Sequence, residues 1–256
     1  MAKKQSSKKG SKRKNRFEVE YNIQEYSCDT LSKSVSNFHI KSPHKLNEKQ
    51  RNIMEKMVDS TSKIVMVDGR WGTGKSYLAV LAALKLYQSE SADKIYYIRT
   101  PCESTNTSKL GYLPGDVESK TAMFNIVMLE KLDEFLDSAV SKRLVDEKAV
   151  EFLAPAFIRG RNLTNCVMIC DEASNFSFED ILLLVTRMGE NCKMFLVGDS
   201  FQNDIGKKSG FIKFFDLMND DESRGHGIYN FTMADKNDIV RSGIIKYVME
   251  KAGIIK

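Results

Sequence analysis

The stretch Gly69-Arg70-Trp71-Gly72-Thr73-Gly74-Lys75-Ser76 decides how the rest of this chain is read. It fits G-x-x-x-x-G-K-[ST], a glycine-rich loop whose backbone N–H groups cradle nucleotide phosphates. At average residue frequencies the pattern arises by chance in a chain of this length in roughly one sequence in a hundred. Its flanks agree with it. The apolar run Ile64-Val65-Met66-Val67 leads in, and a helical pattern from Tyr77 to Tyr87 leads out. Within the loop, Gly69, Gly72 and Gly74 let the backbone approach the phosphates. Arg70, Trp71 and Thr73 fill the variable positions. The helix that starts near Lys75 points its positive dipole end at the same charge. Lys75 is placed to reach the β- and γ-phosphates, and the Ser76 hydroxyl to ligate Mg2+. A nucleoside triphosphate bound with Mg2+ is the first expectation.

Moving outward, three further apolar runs, Ile95–Ile98, Val167–Cys170 and Met194–Val197, lack alternation, as strands buried on both faces do. Helical segments at about Tyr77–Tyr87, Thr121–Leu144 and Phe178–Met188 separate them. That alternation is the pattern of an α/β protein with a mostly parallel sheet and helices on both faces. Upstream, Leu46–Val58 has helical spacing, with Asn47 as N-cap and Gln50 three residues on. Met128, Leu129, Leu132, Phe135 and Leu136 make an apolar stripe read as core.

Composition is that of a globular chain, and its longest apolar run in a helical context, Ile181–Val185, is far too short to span a bilayer. The five cysteines form no C-x-x-C pair and the three histidines stand apart, so no zinc site is proposed and a reducing, cytoplasmic compartment is expected. Charge is uneven. Residues 1–16 hold eight Lys or Arg and no acid, so the remainder sums to −3 while the whole chain carries +5. This tail is read as disordered, and residues 17–256 as a single domain. Contact with nucleic acid phosphates and simple solubilisation both explain such a tail.

A phosphate loop needs carboxylates to hold the metal and polarise water. Val167-Met168-Ile169-Cys170-Asp171-Glu172 delivers two acids at a strand's carboxyl end, where α/β ligand sites lie. Asp171 is assigned to Mg2+, directly or through water. Glu172 is assigned as general base for the attacking water. At the next strand end, Val197-Gly198-Asp199-Ser200-Phe201-Gln202 brings Gln202 into position to orient water or sense the γ-phosphate. Taken by itself, that segment reads as an Asp/Ser turn closing a strand.

Taken together, these segments resemble the PhoH family of ATPases, whose core is similar to that of superfamily-one helicases. The resemblance runs from about Leu46 to the C-terminus. Leu46-Asn47-Glu48-Lys49-Gln50 is similar to the glutamine motif in which Gln50 reads adenine. The phosphate loop follows, with Tyr77-Leu78-Ala79 behind it. Then come Lys109-Leu110-Gly111-Tyr112-Leu113-Pro114-Gly115-Asp116, a family signature, and Arg159-Gly160-Arg161. Asp171-Glu172-Ala173-Ser174, Thr186-Arg187-Met188-Gly189, Gly198–Gln202 and Asp238-Ile239-Val240-Arg241 complete it. Departures are Arg70-Trp71, where relatives carry small residues or Pro; Ser174, where Gln is common; and Ser242, where His is common. In length the chain resembles the short single-core form of bacteriophages and bacteria.

The resemblance implies a RecA-like core and ATP hydrolysis with Mg2+. It also implies action on single-stranded RNA or DNA, and a ring, commonly hexameric, with ATP near subunit boundaries. Arg241 is the first choice for an arginine finger, from the same or a neighbouring subunit, and Arg187 the second. Arg99, Arg159, Arg161 and Lys109 remain as nucleic-acid or inter-subunit candidates, and Tyr112 could stack on a base. Two function classes stay open: an ATPase that binds or moves along single-stranded nucleic acid, and a nucleotide-gated oligomeric module that hydrolyses slowly and does no mechanical work.

Overall fold

A computed structural model describes residues 38–41, 44–100, 129–240 and 243–255, all within one compact unit, Ser34–Lys256. Its frame is a six-stranded sheet. The strands are β1 (Ile64–Gly69), β2 (Lys94–Ile98), β3 (Val150–Leu153), β4 (Cys166–Asp171), β5 (Lys193–Gly198) and β6 (Ile228–Met233). Their order is β3-β2-β4-β5-β1-β6 and every pairing is parallel. This is the α/β architecture of a RecA-like P-loop NTPase core. Parallel neighbours demand crossovers, and helices supply most of them, with one further helix before β1 and one after β6. These are α1 (Glu48–Val58), α2 (Lys75–Gln88), α3 (Ser138–Asp146), α4 (Phe178–Val185), α5 (Phe211–Leu217), α6 (Asp221–Gly225) and α7 (Gly243–Lys251).

The sheet is coated on both faces, which explains the unbroken apolar runs. Val65, Val67, Tyr97, Val167, Ile169, Phe195 and Val197 pack with α1 and α2. Their neighbours Met66, Tyr96, Ile98, Met168, Cys170, Met194 and Leu196 pack with α4 and α5. Cys166 and Cys192, side by side on β4 and at the entry to β5, are free buried thiols 3.4 Å apart. Among the described residues no helix is long and apolar enough to cross a membrane.

Sequence and structure differ at two kinds of place. β3 and β6 are missing from the strands expected. Both are edges, and an edge strand keeps residues such as Glu151, Tyr229, Asn230 and Thr232 only partly covered or exposed. The helix expected over Thr121–Leu144 is not continuous in its described part: residues 129–133 are helical, 134–137 turn, and α3 begins at Ser138. The cause is remote in sequence. The Phe135 carbonyl accepts the Lys41 backbone N–H at 2.7 Å and the Leu136 carbonyl accepts Lys41 Nζ at 3.1 Å, so neither is left to a following helical turn. Asp137 then restarts the chain in an extended conformation, paired to Lys41 at 2.6 Å. By contrast, the capping box of Asn47 and Gln50 on α1 forms as expected, and Leu132, Phe135 and Leu136 are buried.

Gly198, at the carboxyl end of β5, has no room for a side chain. A Cβ there would sit 2.9 Å from the ring of buried Phe211 and 3.0 Å from the Ser174 backbone nitrogen. Gly198→Ala is expected to cost about 1–3 kcal/mol through overpacking, read as a lower urea midpoint with an unchanged slope. A midpoint equal to that of the unmodified chain would show that the strand end yields.

Candidate nucleotide site

Strand order builds the site. Because β5 lies between β1 and β4, the segment after Gly198 falls between the phosphate loop and the Asp171-Glu172 pair. The result is a cleft of about 300 Å³ at the carboxyl ends of the strands. Its lining includes Trp71, Lys75, Ser76, Asp171, Glu172 and Gln202.

The loop is held by hydrogen bonds on every side. Gly74 is the N-cap residue of α2 and adopts the left-handed conformation, φ 84°. That geometry favours glycine, and a Cβ here would also meet Gln50 Nε2 at 3.1 Å. No side chain caps this helix, so its first N–H groups are left for an anion. Gln50 is buried, donates from Nε2 to the Thr73 carbonyl at 3.0 Å and accepts the Asn47 N–H at 3.0 Å. It therefore braces the loop against α1. Thr73 Oγ1 donates to the Arg70 carbonyl at 2.8 Å. From the far side, the Arg70 N–H donates to Met233 of β6 at 3.0 Å, and the Val240 N–H donates to the Gly72 carbonyl at 2.9 Å. Lys75 Nζ curls over its own loop onto the carbonyls of Gly69 and Arg70. Burial lowers the Lys75 pKa from its ordinary value, and Asp199, Asp171 and Asp68 oppose that shift.

The structure brings Ser76 and Asp171 together: Ser76 Oγ donates to Asp171 Oδ1 at 2.6 Å. Two hard oxygen donors meeting beside an anion-binding helix end fit Mg2+. That ion keeps several waters and takes one or two protein oxygens plus substrate phosphates rather than a full protein cage.

Two participants escape sequence reading. Tyr97 of β2 donates its hydroxyl to Asp171 Oδ2, and burial together with Asp171 raises this phenol well above its usual range, so it stays a donor. Lys131 Nζ lies 3.6 Å from the same oxygen. Tyr97 reads as one more apolar strand residue, and only its polar tip hints at a buried partner. For Lys131 we find no local signal. Glu172, adjacent to Asp171, takes the left-handed backbone conformation, φ 52°, rare for a residue with a side chain. Its carboxylate accepts a hydrogen bond from Arg99.

The remaining candidates separate cleanly. Trp71 stands half exposed at the cleft edge. The Tyr77 ring packs at a tilt against His44 and Phe135, with centroids at 5.4 and 4.7 Å. Arg161 reaches toward Glu151 of β3 at 3.9 Å, and the Arg187 carbonyl accepts from Leu163 ahead of β4, which places both toward the amino ends of the strands. Neither they nor exposed Arg159 line the cleft. Lys109, Tyr112 and Arg241 lie outside the described residues.

Arg70, one of the two unusual loop residues, is buried. Its guanidinium pairs with Asp199 at 3.4 Å and stacks 3.0 Å from the centroid of Phe201, an exposed ring. It thereby ties the phosphate loop to the turn after β5. Arg70→Met leaves Asp199 without this cation in a nearly dry setting and should lower unfolding stability by about 3 kcal/mol. Adding Asp199→Asn should recover part of that loss. Additive losses in urea unfolding would show that the pair is not coupled.

Comparison with known proteins agrees with this geometry. The family model described as PhoH-like protein matches residues 44–252. The chain is 31% identical over 186 residues to a PhoH-like protein of Bacillus subtilis, covering 71% of this chain and 56% of that one. It is 30% identical over 184 residues to a PhoH-like protein of Synechocystis, covering 71% and 54%. With a protein named PhoH2 of Thermobispora bispora it shares 27% identity over 204 residues, 78% of this chain and 45% of that one. The chain thus spans about half the length of these curated relatives. A phosphate loop, a facing carboxylate pair and a match across most of the chain lead to one conclusion: this protein belongs to the PhoH-like family of P-loop NTPases.

Proposed function

We propose that the chain hydrolyses ATP with Mg2+ and couples hydrolysis to binding or moving along single-stranded RNA or DNA. The observation that carries the hydrolytic reading is the convergence of Lys75, Ser76, Asp171 and Glu172 on one cleft. The Lys75 ammonium and the α2 N-terminus bind and orient the triphosphate. Glu172 takes a proton from the attacking water. As that oxygen bonds to the γ-phosphorus, the bond to the β,γ-bridging oxygen breaks. ADP leaves with the electron pair and inorganic phosphate is released. Mg2+, held by Ser76 and Asp171, would supply charge neutralisation at the β- and γ-phosphate oxygens.

Family resemblance supports the nucleic-acid partner and a hexameric ring. The assembly reading is also supported by Val240, Ile244, Tyr247 and Val248, large apolar residues left exposed along and just before α7. The Val240–Gly72 hydrogen bond fastens Val240 to the phosphate loop. In this reading Arg241 is the arginine that meets developing charge on the γ-phosphoryl group. A second reading, a nucleotide-gated binding module with slow turnover, is favoured by the engagement of Glu172 by Arg99.

Glu172→Gln should retain ATP affinity within a few-fold and lose about 10²- to 10⁴-fold in kcat, measured by phosphate release and by binding of a fluorescent ATP analogue. Full turnover in this variant would remove Glu172 as the base. Turnover of the unmodified protein with and without single-stranded oligonucleotides separates the two readings: stimulation supports coupling, and a rate that stays low throughout supports the gated module.

A further inference from the structure

The contact between Arg99 and Glu172 works against the chemistry assigned to Glu172. A guanidinium that holds a carboxylate oxygen turns the group toward itself, whereas a base for the attacking water must face that water. Asp171 is buried and surrounded by the Ser76 hydroxyl, the Tyr97 hydroxyl and the Lys131 ammonium. Glu172 differs. Its side chain is 41% exposed and that of Arg99 is 29% exposed, so the pair lies within reach of water and of other anions.

The backbone beneath Glu172 is fixed, and its part-exposed side chain is held by the contact with Arg99. Its left-handed conformation is locked by the Asn175 N–H on the Glu172 carbonyl at 2.9 Å and by its own N–H on Asp171 Oδ1 at 3.1 Å. Moving the carboxylate therefore needs only side-chain rotation. Arg99 is likewise anchored through its backbone, its N–H donating to the Leu153 carbonyl of β3 at 3.2 Å. The next residue, Thr100, donates from Oγ1 to the Asn175 carbonyl at 3.4 Å. The two partners thus share the short turn at Ala173–Asn175 as a support. A guanidinium presents a planar fork that fits a phosphate with two parallel hydrogen bonds, a stronger arrangement than a half-exposed single contact to a carboxylate.

We propose that Arg99 is a positioning residue that holds Glu172 in a resting orientation, and that a phosphodiester group of single-stranded nucleic acid takes Arg99 from it. The released carboxylate turns to the attacking water, so occupancy by nucleic acid raises the rate of hydrolysis. This rests on the ATPase reading above and adds to it how the partner is sensed. No covalent step is added: the exchange replaces one anion on the guanidinium by another.

The test compares the unmodified protein, Arg99→Gln, Arg99→Lys and Glu172→Gln. ATP turnover is measured without and with a single-stranded oligoribonucleotide and an oligodeoxyribonucleotide of the same sequence, and oligonucleotide binding is followed by fluorescence anisotropy without ATP. Arg99→Gln should raise the oligonucleotide-free kcat by about two- to fivefold with KM for ATP unchanged, the range expected for loss of a half-exposed ion pair. It should also lose stimulation and bind oligonucleotides more weakly. Arg99→Lys should keep part of both responses. A gain in rate is not what misfolding produces. An oligonucleotide-free kcat that falls or stays the same in Arg99→Gln, or stimulation that survives intact, overturns the inference. A rise in that kcat with no oligonucleotide binding by the unmodified protein overturns the choice of partner. If the unmodified protein holds the fluorescent ATP analogue yet turns over no ATP under any condition, it is the ATPase reading that fails.

Discussion

Four carboxylates, Asp68, Asp171, Glu172 and Asp199, meet at the carboxyl ends of β1, β4 and β5, and the surroundings of the cleft are arranged to hold like charges close together. In a partly dry setting such repulsion is large unless each charge is met locally. Each one is. Asp68 accepts the Ser200 N–H at 2.8 Å and its hydroxyl at 2.9 Å. Asp171 has two hydroxyls and Lys131, Glu172 has Arg99, and Asp199 has Arg70 together with the Phe201 N–H at 3.0 Å. The partners come from β2, the phosphate loop, α2, residues 129–133 and the turn after β5. Holding the acids therefore also fastens these segments to one another. A bound triphosphate would add negative charge here, and Lys75, held on loop carbonyls rather than by an acid, is a cation available to it.

What could be read from the sequence follows the range over which each interaction acts. The loop Gly69–Ser76, the Asn47 cap and the Asp171-Glu172 pair are short-range patterns, and the structure places all of them at or beside one site. β1, β2, β4 and β5 are legible because burial on both faces writes an unbroken apolar run. β3 and β6 are not, because an edge strand needs fewer apolar residues than a central one. The break before α3 is illegible for a different reason: its cause, Lys41, stands 95 positions from Leu136. Tyr97 and Lys131 share that difficulty. Nothing near either residue says that Asp171 is its partner, since the pairing of β2 with β4 and the return of the chain at residues 129–133 create the contact.

Gln50 shows how a residue can be found for one reason and placed by another. Family resemblance points to base recognition. In the structure both of its polar functions are engaged, one in capping the start of α1 and the other in supporting Thr73. Helix capping and loop bracing are thus joined in one buried side chain.

The bare backbone at Gly198 has a consequence for how the cleft responds to whatever enters it. Adjacent strands stand about 4.8 Å apart, so β1 and β4 are separated by roughly ten ångströms across β5. Ser76 and Asp171 close that span above a residue with no side chain. The sheet therefore acts as a gauge block. The distance between the phosphate loop and the carboxylates is set by main-chain hydrogen bonds in the floor, while adjustment is left to the side chains along the walls.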